Sequence, residues 1–404
     1  MINNSGSKPM SRNQDNQANH VNQGSDNVPI LRFQEFSDKW KSSKFKDICV
    51  IVGGGTPDTK IAEYWDGEYL WFTPSEVGEK YISKSKRTIT KIGLTQSSAK
   101  LLPKGTLLFS SRATIGEISI ALLECTTNQG FQSMIVNKKY YNEFIYYWVK
   151  NNVNLFIEKA SGSTFLEISK SNIQKISLLV PSLPEQQKIA SFLTTVDEKL
   201  QSLKKKKTLL EQYKKGVMQK IFSQEIRFRD DNGKEYPEWE EKPFHECINT
   251  IPSKKYQIKS TEIYSFGKYK VIDQGQDLIA GYSNEEKFLF KDVPVIVFGD
   301  HTTILKYIDF SFIVGADGTK LLKNDDDNNI KYLYYNLNYN NVQQEGYKRH
   351  FSILSDKTLQ KPCIQEQTKI ANFLSAIDDK INHCQTQIDT TEMWKKGLLQ
   401  RMFC

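Results

Sequence analysis

The chain has 404 residues, enough for two or three domains that each bury a core. Its 55 Lys and Arg against 47 Asp and Glu give a net charge of +8 and a pI near 8.9, which suits a polyanionic partner without demanding one. No apolar run is long enough to cross a bilayer and no signal peptide opens the sequence, so a cytoplasmic protein is expected; six scattered cysteines (Cys49, Cys125, Cys247, Cys363, Cys384, Cys404) lack paired spacing and read as reduced thiols.

Residues 1–27 are rich in Asn, Gln, Ser, Asp and Gly and have almost nothing to bury, so a disordered polar tail is expected, with Met10 as an alternative start. From Val28-Pro29 onward the sequence reads as a first domain over 28–180, a helical region over 181–224, a second domain over 225–362 and a second helical region over 363–404. Each domain opens alike, with Arg-Phe, an acidic turn and a Trp: LRFQEFSDKW at 31–40 and IRFRDDNGKEYPEW at 226–239. Inside them, short β-branched and aromatic runs alternate with Gly, Pro and Asn turns, and an aromatic segment around 143–160 reads as helix. The sequence therefore predicts two compact α+β heads.

The helical regions are near-duplicates. EQQKIASFLTTVDEK at 185–199 matches EQTKIANFLSAIDDK at 366–380, an offset of 366 − 185 = 181, and YKKGVMQKIF at 213–222 matches WKKGLLQRMF at 394–403 at the same offset. Steps of four and three residues pick out Ile189, Leu193, Val196, Leu200, Leu203, Lys207, Leu210, Lys214, Val217 and Ile221, then Ile370, Leu374, Ile377, Ile381, Cys384, Ile388, Thr391, Lys395, Leu398 and Met402. This 3.5-residue period, free of insertions, predicts two helices of roughly 38 residues and about 57 Å, paired along a coiled-coil seam. Antiparallel pairing is the expected arrangement, with the heads held apart about an approximate two-fold axis.

The heads repeat more faintly. LLFSSRATIG at 107–116 lies opposite VIVFGDHTTI at 295–304, Asn128-Gln129-Gly130 opposite Ala316-Asp317-Gly318, and Tyr146-Tyr147 opposite Tyr334-Tyr335, the last two pairs at 316 − 128 = 334 − 146 = 188. Nearly identical helices joined to divergent heads suggest that each head reads something different.

No catalytic pattern survives inspection. Gly53-Gly54-Gly55-Thr56 lacks the following Gly-Lys-Ser/Thr of a phosphate loop and reads as a tight turn in which backbone approaches DNA or a neighbouring strand. Pro57-Asp58 with Glu68, and Glu285-Glu286-Lys287, each lack part of a nuclease set; the five histidines form no zinc pattern; Asp325 to Asp327 reads as a solvated turn. A methyltransferase cofactor loop is likewise missing.

For nucleic acid, ISKSKRTITK at 82–91 predicts an edge strand with Lys84 and Lys86 on one face, Arg87 on the other and Lys91 at its end, although a solvated edge strand is the plainer reading. Thr56, Asn128 and Gln129, the loop Ser110, Ser111, Arg112, Thr114, and its counterpart Asp300, His301, Thr302, Thr303 carry groups suited to base edges. Lys254, Lys255, Lys348, Arg349 and His350 add cations to the second head, while Lys204 to Lys207 read as a solvated helix face. The tyrosine pairs read as core or interface.

Taken together, the duplicated PSLPEQQKIASFLTTVDEKL (181–200) and IQEQTKIANFLSAIDDKI (364–381), with GGTP (54–57), YWDGEYLWFTPSE (64–76), ATIG (113–116) and NQGF (128–131), resemble the specificity subunits of type I restriction-modification enzymes over nearly everything after residue 28; the second head departs from the GGTP and NQG forms. The resemblance implies two target-recognition domains reading a bipartite site in double-stranded DNA. It implies no catalysis and no cofactor in this chain: two modification subunits using S-adenosylmethionine, and restriction subunits using ATP and magnesium, would dock on it. The rival expectation is a coiled-coil scaffold with protein-binding heads.

Overall fold

The structure, a computed structural model, describes residues 27–162, 166–315, 317–325, 327–346 and 348–403. The expectation for residues 1–26, Met10 included, and Cys404 lie outside these. Contacts divide the chain into two compact units, Met1–Gln201 with Asp389–Cys404, and Ser202–Ile388. Each unit holds one head, part of the first long helix and part of the second.

The long helices run Leu183–Phe222, 40 residues, and Ile364–Met402, 39 residues. Pro184 is tolerated because it falls in the first turn, where its missing N–H has no partner to lose, and Pro362 stands just ahead of the second helix. Along the seam Ile189, Leu193, Val196, Leu200, Leu203, Ile370, Leu374, Ile377, Ile388 and Leu398 are buried, while Leu210 and Ile381 are partly so. Each buried Leu or Ile contributes about 1.5–3 kcal/mol relative to exposure.

The lysines that interrupt the stripe have a specific use. Lys214 Nζ meets Asp378 Oδ1 at 2.5 Å, and Lys395 Nζ meets Asp197 Oδ1 at 2.5 Å; each pair is the other shifted by 181 residues. The same contact is thus made once in each unit. Near the middle, Cys384 Sγ donates to the Leu203 carbonyl at 3.2 Å, and these two residues are themselves 181 apart, so here the copies meet each other. Since Leu203 pairs with Cys384 while the later Lys214 pairs with the earlier Asp378, the segments run antiparallel.

The heads share one α+β plan. In the first, the central sheet has the order Cys49–Gly53, Gln132–Val136, Leu107–Phe109, Ile118–Ala121, Tyr81–Ile82; in the second it is Ile248–Ile251, Thr319–Asn324, Val295–Gly299, Leu305–Ile308. A three-stranded sheet accompanies each. Its middle strand, Trp65–Phe72 or Tyr269–Ile272, pairs antiparallel with Arg87–Ile89 or Gly281–Ser283 and parallel with Cys125–Thr127 or Ile313–Val314. A two-stranded ribbon, Lys41–Lys44 with Ser177–Val180 and Glu240–Pro243 with Thr358–Lys361, closes each head at its start and end. The expected helix near residue 143 is two pieces, Asn142–Asn151 and Val153–Glu158, broken at Asn152.

The repeated Glu-Gln of the helices is the socket on which each head sits. Glu185, buried, accepts from Arg32 Nε at 2.7 Å, Arg32 Nη2 at 2.8 Å and Trp40 Nε1 at 3.3 Å. Glu366 accepts from Arg227 Nε at 3.3 Å, Arg227 Nη2 at 2.9 Å and Trp239 Nε1 at 2.9 Å, and these bonds hold the Arg227 guanidinium above its ordinary pKa. Gln186 receives the Tyr141 N–H and gives to the Pro181 carbonyl; Gln367 receives the Asn329 N–H and gives to the Pro362 carbonyl. The Arg-Phe…Trp opening and the Glu-Gln motif thus recur together because they bind each other.

One more contact seats each head. Tyr147 Oη donates to Asp197 Oδ2 at 2.7 Å and Tyr335 Oη to Asp378 Oδ2 at 2.6 Å, so the aspartates that hold the lysines also hold a tyrosine. Burial first, then the neighbouring carboxylate, pushes both phenols far above their ordinary range. The tyrosine pairs therefore belong to the core.

Candidate nucleic-acid interface

In each head the loops that leave several strands converge on one polar edge. In the first, Gly55 N–H bonds the Thr127 carbonyl at 2.8 Å, and a Cβ on Gly54 would stand 2.1 Å from the Asn128 carbonyl oxygen. Glycine is required because the chain runs against its neighbour. The approach lets Thr56 Oγ1 donate to Gln129 Oε1 at 2.6 Å, joining the loop after the first strand to the Asn128-Gln129-Gly130 turn. Asn128 Oδ1 accepts the Gly130 N–H at 2.9 Å, which shapes that turn. Ser111 locks the third loop to it, its N–H and Oγ both reaching the Gly130 carbonyl, at 2.8 and 3.1 Å.

The second head builds the same edge from other residues. Gln257 Nε2 donates to Asp317 Oδ1 at 2.9 Å, repeating the Thr56–Gln129 link, since 317 − 129 is again 188. Gln274 donates to the Asp317 carbonyl at 3.0 Å and accepts the His301 N–H at 3.1 Å, while Thr302 Oγ1 donates to the Gln274 carbonyl at 2.6 Å. Gly318 takes a left-handed φ of 79°, and a Cβ there would meet the His301 ring at 2.9 Å. His301 Nδ1 lies 3.1 Å from the Lys348 carbonyl oxygen, which brings Lys348 to the same place.

Gln257, Gln274 and Asp317 were not among the candidate residues. The signal for Asp317 was present in the 188-residue offset from Gln129. Gln257 and Gln274 had none, because the loops that carry them match nothing in the first head by sequence.

Several expectations need correction. Residues 82–91 do not form one strand: Tyr81–Ile82 and Arg87–Ile89 lie in different sheets. The cause is Glu76, whose carboxylate takes the Lys86 N–H at 2.7 Å and draws the chain out of any ladder. Lys84 and Lys86 stand on the link between the strands, and the Arg87 guanidinium lies 3.4 Å over the Trp65 ring. Ser111 is fully buried, which removes it from any surface a ligand could reach. His350 is also fully buried: it lies against the Asp300 carbonyl through Nδ1 at 3.0 Å and accepts the Glu345 N–H at Nε2 at 3.1 Å, so it is a latch and not a cation facing outward. Thr303 is buried too, its hydroxyl given to the Thr302 carbonyl.

Ser110 and Asp300 are buried as well, and the remaining candidates are exposed or partly so. Lys84, Lys86, Lys91, Lys254 and Arg349 stand in solvent without an ion pair among the described residues; Lys255 lies over the Tyr256 ring at 4.8 Å. Arg112 pairs with Glu167 at 2.9 Å and Lys348 with Glu345 at 2.5 Å, both at exposed sites where such pairs contribute little. Thr114, exposed, places Oγ1 3.0 Å from the Oγ of the buried Ser110. Among the described residues no three His, Cys, Asp or Glu side chains are grouped to hold a metal ion, and no helix is long and apolar enough to cross a membrane.

Comparison with known proteins matches this architecture. The family described as "Type I restriction modification DNA specificity domain" matches residues 37–212 and again 236–391, most of the chain, once per repeat. The chain is 37% identical over 216 residues to the type I restriction enzyme MjaIX specificity subunit of Methanocaldococcus jannaschii, covering 50% of each. It is 27% identical over 175 residues to the EcoR124I/EcoR124II specificity subunit of Escherichia coli, covering 42% of this chain and 43% of that one. The chain thus spans about half the length of these curated relatives; with the MjaVIII specificity subunit the likeness, at 20% identity, extends over 90% of the chain and 91% of the relative. The same fold occurs in the crystal structure of an S subunit from M. genitalium, with TM-score 0.62, 16% identity and coverage of 93% and 99%.

Proposed function

We propose, on the premise that the chain belongs to the type I restriction-modification DNA specificity family, that it reads DNA sequence for a multisubunit complex. Each head contacts one half of a bipartite, asymmetric site in double-stranded DNA, and the paired helices set the nonspecific gap between the halves. The observation that carries this reading is the repetition of one polar edge at matching strand ends of two heads, Thr56 with Gln129 and Gln257 with Asp317, built from different side chains. A shared chassis with unlike edges is what two different half-sites call for. Lys84, Lys86, Lys91, Lys254, Lys255 and Arg349, exposed around these heads, supply phosphate contacts that position the duplex without selecting sequence.

Two modification subunits, with S-adenosylmethionine, and the ATP- and magnesium-dependent restriction subunits dock on this chain in the cytoplasm, and the chemistry resides in them. The test is selection of bound sequences from random duplexes by the chain assembled with its modification subunit. A two-part motif with a constant gap is expected. Weak binding without an enriched motif would favour the scaffold alternative, and metal-dependent cutting by the isolated chain would identify a nuclease.

A further inference from the structure

The equivalent residues Gln129 and Asp317 present opposite hydrogen-bonding character from the same place in the two heads. Gln129 spends its Oε1 on the Thr56 hydroxyl, which leaves the Nε2 amide as its outward group; no partner for that nitrogen is found among the described residues. Nε2 only donates. Asp317 spends Oδ1 on Gln257 Nε2, which leaves Oδ2, an acceptor only, and it makes no ion pair among the described residues. Both residues are exposed, and both sit on a turn that other bonds fix: Asn128 to Gly130 in one head, Gln274 to the Asp317 carbonyl in the other.

Resting on the DNA-reading function above, we infer that Gln129 and Asp317 are specificity-determining residues of inverted polarity. Gln129 offers a donor to N7 or O6 of guanine or O4 of thymine, the bases whose major-groove edge carries acceptors and no amine, in the first half-site. Asp317 accepts from an exocyclic amine, N4 of cytosine or N6 of adenine, in the second. The major groove displays a distinct pattern of these groups for every base pair, so one donor or acceptor there favours the bases that carry its complement. A carboxylate beside a polyanion is repelled by phosphate. Its place in the edge is explained when it meets a base amine, the one class of donor that the DNA itself offers. Thr56 and Gln257 act as positioning residues, fixing which atom of each reader faces outward.

The experiment uses the full chain in complex with its modification subunit and repeats the random-duplex selection with Gln129→Glu and Asp317→Asn, which keep shape and reverse the polarity. Gln129→Glu is expected to move one base position of the first half-motif from an acceptor-bearing to an amine-bearing base by about tenfold or more in enrichment. Asp317→Asn, whose Oδ1 stays with Gln257 and whose Nδ2 then faces outward as a donor, should move one position of the second half-motif from an amine-bearing to an acceptor-bearing base by a similar factor. In each case the untouched half-motif reports that the complex has folded and assembled. Both half-motifs unchanged within about twofold, or a uniform loss of binding on all sequences with a changed salt dependence, would overturn the inference and leave the bipartite function standing. A wild-type complex that yields no two-part motif would sink both.

Discussion

The helical copies and the head copies have diverged to different depths, and the side chains show where the constraint lies. Between the helices, Glu185 and Glu366, Gln186 and Gln367, Asp197 and Asp378, and Lys214 and Lys395 occupy matched positions and make matched bonds. Between the heads, the strand order is kept while Thr56 is answered by Gln257 and Gln129 by Asp317. The socket that seats a head must be the same twice, because Arg, Trp and Tyr of either head enter it. The edge proposed to face DNA has no such obligation. Residues in the sockets should therefore respond to mutation in matched pairs that differ only as far as their burial differs, and residues on the edges should respond singly.

The largest effect is expected at the buried glutamates. Glu185→Ala strands the Arg32 guanidinium and the Trp40 indole N–H, and should destabilise its unit by about 3–5 kcal/mol in chemical denaturation. Glu366→Ala should cost somewhat less, since Arg227 is 20% exposed against 11% for Arg32. A loss below about 1 kcal/mol in either would break the claim that these sockets seat the heads. Next come Leu193→Ala and its counterpart Leu374→Ala, both at fully buried positions, each expected to cost about 2–5 kcal/mol and to agree with the other. Tyr147→Phe and Tyr335→Phe should each cost about 1.5–3 kcal/mol, toward the low end because the aspartate keeps its lysine.

How much was legible follows the same division. The helices could be read because a 3.5-residue stripe and a constant 181-residue offset are properties of the sequence itself. Even there Lys207 and Lys214 fall on the first stripe as misses, and the use of Lys214 could not be read because its partner, Asp378, lies on the other helix. In the heads, the glycines at 53–55 and the turn at 128–130 were visible as polar, tight elements, but that they bind each other was not. The strand drawn over 82–91 failed because a distant carboxylate, Glu76, competes for its backbone. Ser111 and His350 looked like surface groups because burial is decided by what folds over them.

A smaller effect separates the two units by pH. In the first, Glu143 bonds Lys80 at 2.8 Å; at the matching position the second has Lys331, bonded to Ser375 at 3.2 Å. Burial alone pushes Glu143 up, yet bonds from Lys80 and Tyr81 outweigh it and hold the carboxyl below its ordinary 4.5. A depressed carboxyl stabilises the fold above its unfolded pKa and loses that contribution as the pH falls through the folded value. Acid titration of stability below about 4.5 should thus weaken the wild type more than Glu143→Gln. Identical acid profiles for the two would contradict the assignment.

In the proposed function the paired helices set the gap between two independent readers. Inserting one heptad after Leu203 and one after Cys384, where the copies meet, keeps the stripe in phase and lengthens each helix by about 10 Å, roughly three base pairs of duplex. Sequence selection with that variant complex should return both half-motifs unchanged and a longer gap. Half-motifs altered, or unchanged at the original gap, would contradict the account.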